Sequence, residues 1–264
     1  MEIVVCVKRV PEISAGVRIK PDGTDIERAG LAYDLNDFDA YALEESLRLK
    51  EKHGGSVTVV TVGPPEWDET LRACLAKGAD RAVRAWDTAV PGSDGIAIAR
   101  LLSAAIRKQP FDLVLCGVQA EDDDAGVVGP ALAEFLGAPC ATIVTKVDWT
   151  DKKLTVHREL EGGVNEIVEV QTPAVLTIQT GLNEPRLAAL KGILAAKSKP
   201  IQTYDLATLG VERALVGSEG AKTRVVKLLP PPAGEGATIL EGSEEEAAKK
   251  LVALLRDKGH GRRA

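Results

Sequence analysis

Short β-branched runs alternate along the chain with segments whose apolar residues recur every three or four positions. The runs are Ile3–Val7, Val57–Val62, Ala82–Ala85, Leu113–Cys116 and Ala141–Val144. Between them, Asp94–Lys108 sets Ile98, Leu101, Leu102, Ala105 and Ile106 on one helical stripe. Asn36 stands where an N-cap would for a helix reaching Lys52, with Asp39 at its third position, close to a capping box. Strand and helix taken in turn predict crossover connections and a parallel sheet covered on both faces, an α/β sandwich.

After Val144 the pattern changes. Lys152–Glu159 and Val164–Gln171 predict two strands around "ELEGG", Glu159 to Gly163, whose glycines suit a hairpin turn. Ala174–Ile178 returns as a buried strand, and "RLAALKGILAAK", Arg186 to Lys197, predicts a short helix. From Pro200 to about Gly236 there is little periodicity, which predicts an extended arm, polyproline-like at Pro230–Pro232. Ser243 and Glu246 then form a capping box ahead of Ala247, Leu251 and Leu254, a last amphipathic helix. Pattern alone leaves open whether that helix docks on another chain or returns to its own domain. The division expected is residues 1–199 as one α/β domain and 200–264 as arm and helix.

The segment "CGVQAEDDDAGVVGPALAEFLGAP", Cys116 to Pro139, carries the most chemistry. Gly117–Gly126 follows the carboxyl end of a strand, where open parallel sheets bind ligands. Pro130 suits a first helical turn, Val128, Ala131, Leu132, Phe135 and Leu136 form the stripe, and Gly137 with Pro139 ends the helix. Gly126 and Gly129 flank the helix start, where small residues let an anion approach free N–H groups. Asp122, Asp123 and Asp124 would repel a phosphate unless they turn to ribose, adenine or backbone amides, or hold Mg²⁺. On local grounds a solvated loop ranks first and a nucleotide wall second; three adjacent acids cannot all point one way into a metal cage.

Composition narrows the classes. The 264 residues are 45% hydrophobic, enough for a core, and a net charge of −6 spread among bases and acids argues against a general nucleic-acid binder. Cys6, Cys74, Cys116 and Cys140 show no CxxC spacing and read as small buried hydrophobes. Three dispersed histidines do not build a metal site or triad, and GxGxxG, Walker A and HExxH are absent. No apolar stretch reaches the roughly 20 residues of a membrane span, and the N-terminal run is too short for a signal-peptide core, so a reducing cytoplasm or mitochondrial-matrix equivalent is expected.

Six motifs in order carry a resemblance: "VKRVPE" (Val7–Glu12), "NDFDAYALEESLRLKEK" (Asn36–Lys52), "ETLRACLAKGADRAV" (Glu69–Val83), "QAEDDD" (Gln119–Asp124), "VHRELEGGVNEIVEVQTPAVLT" (Val156–Thr177) and "LNEPRLAALKGILAAK" (Leu182–Lys197). Together they resemble the β subunit of electron transfer flavoprotein. The resemblance implies a Rossmann-like sandwich with a β-hairpin insertion and a C-terminal arm docking on an α subunit that carries the redox-active FAD. It implies AMP, or in electron-bifurcating relatives a second FAD, in the parallel-sheet domain. By position, Cys6, Asn36, Asp37, Phe38, Asp39, Val62, Gln119, Ala120, Glu121, Asp122, Asp123, Asp124, Ala125, Gly126, Val127, Val128, Gly129 and Pro130 would line that site. Leu190, in a recognition segment of about 178–199, matches the leucine that anchors partner dehydrogenases; without the resemblance it would read as a core leucine beside Leu187, Ile193 and Leu194.

Acyl-CoA or other flavin dehydrogenases as donors and electron transfer flavoprotein–quinone oxidoreductase as acceptor follow from the same resemblance. So does an electron-carrier subunit with no catalytic residues or metal of its own. Some positions depart. Relatives usually have Gln at Val127, so side-chain donors are lost there and backbone N–H groups remain. Asp123 stands where bifurcating members have Gly, which favours AMP, whereas "VGP" at Val128–Pro130 leans the other way. Ile13 replaces a tyrosine that some members set against the flavin edge, and Lys191 replaces a proline. Arg9 and the "ELEGG" turn could reach the α subunit or flavin, or be a surface charge and a plain turn. A stand-alone adenine-nucleotide sensor is the alternative of another class; an ATP-cleaving ligase would need a Ser-Gly-Gly-type loop that "VKRVPEISAG" lacks.

Overall fold

A computed structural model describes residues 1–12, 16–150, 153–232, 234 and 236–260. Ile13 and Lys152, the expected first residue of the hairpin, lie outside the described residues.

The chain opens with β1 (Glu2–Cys6), β2 (Arg9–Pro11) and β3 (Tyr33–Leu35), then α1 (Asp37–His53), β4 (Ser56–Val62), α2 (Asp68–Lys77) and β5 (Arg81–Ala85). It continues with α3 (Gly95–Ile106), β6 (Leu113–Gly117), α4 (Val128–Leu136), β7 (Cys140–Thr150), β8 (Lys153–Leu160), β9 (Val164–Val170) and β10 (Ala174–Ile178). α5 (Leu190–Ala196), β11 (Ile201–Tyr204), α6 (Leu206–Leu209), α7 (Gly217–Gly220) and α8 (Glu244–Asp257) complete it.

One sheet runs β11-β5-β4-β1-β6-β10-β7-β8-β9. Every pairing from β11 to β7 is parallel, and β7-β8-β9 is antiparallel. Strand side chains alternate between faces, and the two cores show it. Ile3, Val5, Val57 and Val59 pack on one face with Leu43, Leu47, Leu71 and Leu75 of α1 and α2. Val4, Cys6, Val60 and Val62 pack on the other with Leu101, Ile106 and Leu132 of α3 and α4. Burial on both faces is why these strands read as unbroken apolar runs. The expected α/β class is found.

The expected hairpin is found: β8 and β9 pair antiparallel, and β7, eleven residues long, outlasts its parallel partner so that they prolong the main sheet. Two expectations change. The stretch after Pro200 does not begin as an extended arm. Ile201–Tyr204 pairs with Arg81–Ala85 as an edge strand, and Leu206, Leu209 and Val216 are buried in the second core. "IQTY" is only half apolar because an edge strand has one neighbour and a partly wet face. From Ala221 the chain does extend, held at its start by Asp94, which caps α3 through Ala97 N–H and accepts the N–H groups of Lys222 (2.6 Å) and Thr223 (2.9 Å). α8 has the expected capping box, and none of its residues is buried.

The expected helix from Arg186 is halved. Residues 186–189 are not helical and α5 starts at Leu190, with Arg186 bound sideways to α1. Among the described residues no helix is long and apolar enough to cross a membrane.

Candidate nucleotide site

β1 has β4 on one side and β6 on the other, and the chain reaches them by connections running in opposite directions along the sheet. The carboxyl ends of β1 and β6 therefore diverge at a switch point, the usual ligand crevice of an open α/β sheet.

Asp39, in the first turn of α1, sits in that crevice and is 5% exposed. Its carboxylate accepts the N–H of Lys8, just beyond β1, at 2.8 Å and that of Gly117, the last residue of β6, at 2.8 Å. One side chain thus ties both diverging strand ends to the helix start. Burial pushes its pKa up to about 7, against the pull of those two N–H groups and of Asn36. Gly117 is required here: a Cβ would lie 2.5 Å from Phe38 Cβ and 2.6 Å from Asp39 Oδ1.

Asn36 is almost wholly buried, yet its side chain caps nothing. It reaches across to the acidic loop instead, donating to Gln119 O at 2.9 Å and accepting Glu121 N–H at 3.1 Å. The expected capping box is replaced by this staple, since Asp39 is engaged by the strand ends. The buried amide gives two loop backbone groups the partners that burial requires.

The three aspartates point to three protein donors. Lys8 Nζ lies 2.6 Å from Asp122 Oδ1 and 3.0 Å from Asp123 Oδ2. Burial opposes the lysine's charge, but the two carboxylates outweigh it and hold its pKa above the ordinary value. Gln119 Nε2 donates to Asp124 Oδ1 at 2.9 Å, and Asp123 also accepts Ala125 N–H at 3.1 Å. Asp124 and Gly126 adopt left-handed backbone, φ 47° and 60°, a conformation Asp and Gly tolerate. It turns the loop so that the N–H groups of Gly126, Val127, Val128 and Gly129, at and just before the first turn of α4, find no acceptor among the described residues.

Gly129 has a different reason from the one expected. A Cβ there would fall 2.3 Å from Thr177 Cγ2 and 3.1 Å from Cys116 Sγ, so its smallness lets α4 pack onto the sheet. Gly126 remains the open one, with only Val118 O at 3.6 Å from a built Cβ. Val127 lays its side chain on Gly95 at the start of α3. The helix end at Gly137 is left-handed, as expected.

Cys6 and Val62 are buried at the ends of β1 and β4, on the α3–α4 face. Burial pushes the Cys6 and Cys116 thiols up, which leaves them as apolar packing groups. Phe38 is half-buried against Gly117. Asp37, Glu121 and Pro130 are exposed at the rim, and Ala120 O anchors the turn by accepting Asp124 N–H at 2.8 Å. Leu190 does not join the group; it sits 73% exposed on α5, which packs on α2, so it is no core leucine. Arg9 is engaged within the chain by Glu69, Glu66 O and the Tyr33 ring. Lys8 and Thr177 are site residues that the sequence does not single out. Only Lys8 leaves a signal, the first of two adjacent bases just past a buried strand.

A doubly wound sheet with a stapled loop at its switch point defines an open α/β protein of the kind that binds ligands beyond its strand ends. The family model for the electron transfer flavoprotein domain matches residues 24–209. The chain is 41% identical over 261 residues to electron transfer flavoprotein subunit beta of Methylophilus methylotrophus, covering 97% of this chain and 98% of that one. It is 41% identical over 256 residues to the subunit beta of Thermoanaerobacterium thermosaccharolyticum, with 97% and 98% covered. It is 39% identical over 261 residues to caffeyl-CoA reductase-Etf complex subunit CarD of Acetobacterium woodii, with 98% and 99% covered. The chain belongs to the electron transfer flavoprotein β subunit family.

Proposed function

We propose that this chain is the β subunit of a heterodimeric electron transfer flavoprotein, binds AMP at the switch point and docks donor dehydrogenases through Leu190. The observation carrying the AMP assignment is the disposition of the acidic loop. All three carboxylates are engaged by Lys8, Gln119 and Ala125, and Lys8 offsets one of their three charges, so the loop opposes a phosphate less than its sequence suggests. Four unpartnered N–H groups at the positive end of a nine-residue helix fit a phosphate monoester. Gly126, Val127, Val128 and Gly129 would hold it by backbone, with Asn36 and Asp39 keeping loop and strand ends in place. AMP supplies no redox chemistry; its place is structural.

The FAD belongs to the α subunit in this reading and supplies the electron relay. This chain's part is to complete that subunit's surroundings, meet acyl-CoA or other flavin dehydrogenases, and pass electrons toward a quinone reductase. No bond-making step falls to its side chains. The arm after Ala221 and α8, whose apolar residues Leu251, Val252, Leu254 and Leu255 are all partly exposed, would lie along the α subunit. A cytoplasmic or matrix setting belongs to the same proposal. A second FAD in place of AMP is the second reading, favoured by Val128–Pro130. Asp123 weighs against it, since it stands where the resemblance gives bifurcating members a glycine.

Co-expression with the cognate α subunit tests the assignment. A yellow heterodimer reduced by an acyl-CoA or similar dehydrogenase is expected. A colourless β chain that ignores every α subunit yet gains thermal stability with adenine nucleotide would replace the proposal with the stand-alone sensor.

A further inference from the structure

The segment from Asn183 to Lys199 is bound at both ends and bare in the middle. At its start, Arg186 sets a fork on two acids of α1: Nε and Nη2 lie 2.8 and 3.0 Å from the two oxygens of Glu44, and Nη1 lies 2.5 Å from Glu51. The Arg186 N–H also donates to Glu44 at 3.2 Å, and Asn183 Nδ2 donates to Tyr41 O and Glu45, both at 3.1 Å. Tyr41, Glu44, Glu45 and Glu51 share one side of α1, since three- and four-residue steps return to the same face. The Glu44 side chain is only 5% exposed. Burial works against its charge, yet Arg186 and Arg48 hold its pKa below the ordinary carboxylate value.

At the far end, Arg72 of α2 donates to the carbonyls of Ala196 (2.8 Å), Lys197 (3.2 Å) and Lys199 (3.3 Å), closing the carboxyl end of α5. Gly192 touches α2 directly, for a Cβ there would lie 2.2 Å from Ala76 O. Between these fixings Leu187 is 92% exposed, Leu190 73% and Leu194 58%. Apolar side chains in water on a segment this firmly held are the arrangement of a preorganised docking element, because the ordering cost is met before the partner arrives.

We infer that Arg186 is a positioning residue for donor docking: locked into Glu44 and Glu51, it sets the direction in which Leu187 and Leu190 leave the surface without touching the partner itself. The inference rests on the docking role proposed above for Leu190. An arginine is needed because its planar fork engages two carboxylates in fixed geometry, whereas a lysine offers one rotating ammonium.

The test uses the intact heterodimer as the varied substrate of its donor dehydrogenase, with KM and kcat read separately and amide exchange followed at residues 187–194. Leu190→Ala is expected to raise KM by about tenfold or more. Arg186→Ala should raise KM by about tenfold, leave kcat within about twofold, keep the bound flavin and nucleotide, and speed exchange at 187–194. Arg186→Lys should recover part of the loss, and Glu51→Gln, which removes only the exposed receiver, should show a smaller rise. If Leu190→Ala raises KM while Arg186→Ala does not, docking stands and the positioning role is overturned. If neither Leu190→Ala nor Leu187→Ala moves KM, the docking reading itself falls. Should Arg186→Ala fail to assemble, unchanged KM in both Arg186→Lys and Glu51→Gln overturns the inference.

Discussion

The two ends of α1 serve two surfaces built on opposite principles. Its first turn, at Asn36 and Asp39, ends in a crevice where polar groups are buried and matched one to one. Its later turns, at Glu44 and Glu51, hold a segment whose apolar groups stand in water. In the crevice the side chains serve the backbone, which is left to meet the ligand; at the docking segment the backbone is pinned so that side chains can meet a partner. Changes at the first end should therefore cost stability and nucleotide together, whereas changes at the second should cost recognition alone.

The largest break in that comparison should come from Gly129→Ala. The added methyl meets Thr177, which is itself buried, and α4 must lift off the sheet. A loss of about 1–3 kcal/mol in denaturant unfolding, with loss of bound AMP, is expected. Next comes Asp39→Asn, which turns an amide donor toward one of two N–H groups and should destabilise by about 2 kcal/mol. The same variant carries a pH signature. Burial holds Asp39 at about 7 against an ordinary 3.8, so between those values the folded chain keeps a proton the unfolded chain has released. Its contribution to stability therefore declines as pH rises from about 4 to about 7 and is level above that, and Asp39→Asn should remove this slope from a stability–pH series.

Lys8→Ala sharpens the contrast within the crevice. Its partners are partly exposed, so global stability should fall by less than about 1 kcal/mol. AMP affinity measured by calorimetry should drop about tenfold, because Asp122 and Asp123 would then face the phosphate uncompensated, and added salt should narrow the gap. The smallest effect is expected at the other end of α1. Leu187→Ala with Leu190→Ala should leave the unfolding midpoint and nucleotide content as they were, within about 0.5 kcal/mol, since neither side chain is buried. A large destabilisation there would erase the distinction between the two surfaces.

What could be read from the sequence follows from how local the cause was. The central strands announced themselves because burial on both faces demands unbroken apolar runs, and α8 because a capping box lies within four residues. β11 stayed hidden, for its place depends on β5 more than a hundred residues earlier. The nonhelical run at 186–189 depends on Glu44, 142 residues away. In the crevice, the loop's position after β6 was legible, but its charge balance was not: Lys8 meets Asp122 across 114 residues. Asn36 looked like a cap because caps are local, and it serves a staple because the loop brings two unsatisfied backbone groups to it. Gly129 looked like an opening for an anion, and only the position of Thr177 shows that it is a packing contact.

Denaturing the purified heterodimer and quantifying the nucleotides released tests the central claim most directly, that amides at the start of α4 hold an adenosine monophosphate beside an acidic loop whose charge Lys8 partly offsets. One AMP and one FAD per heterodimer is the result this account predicts. Two FAD with no AMP, or one FAD with no second nucleotide, would contradict it.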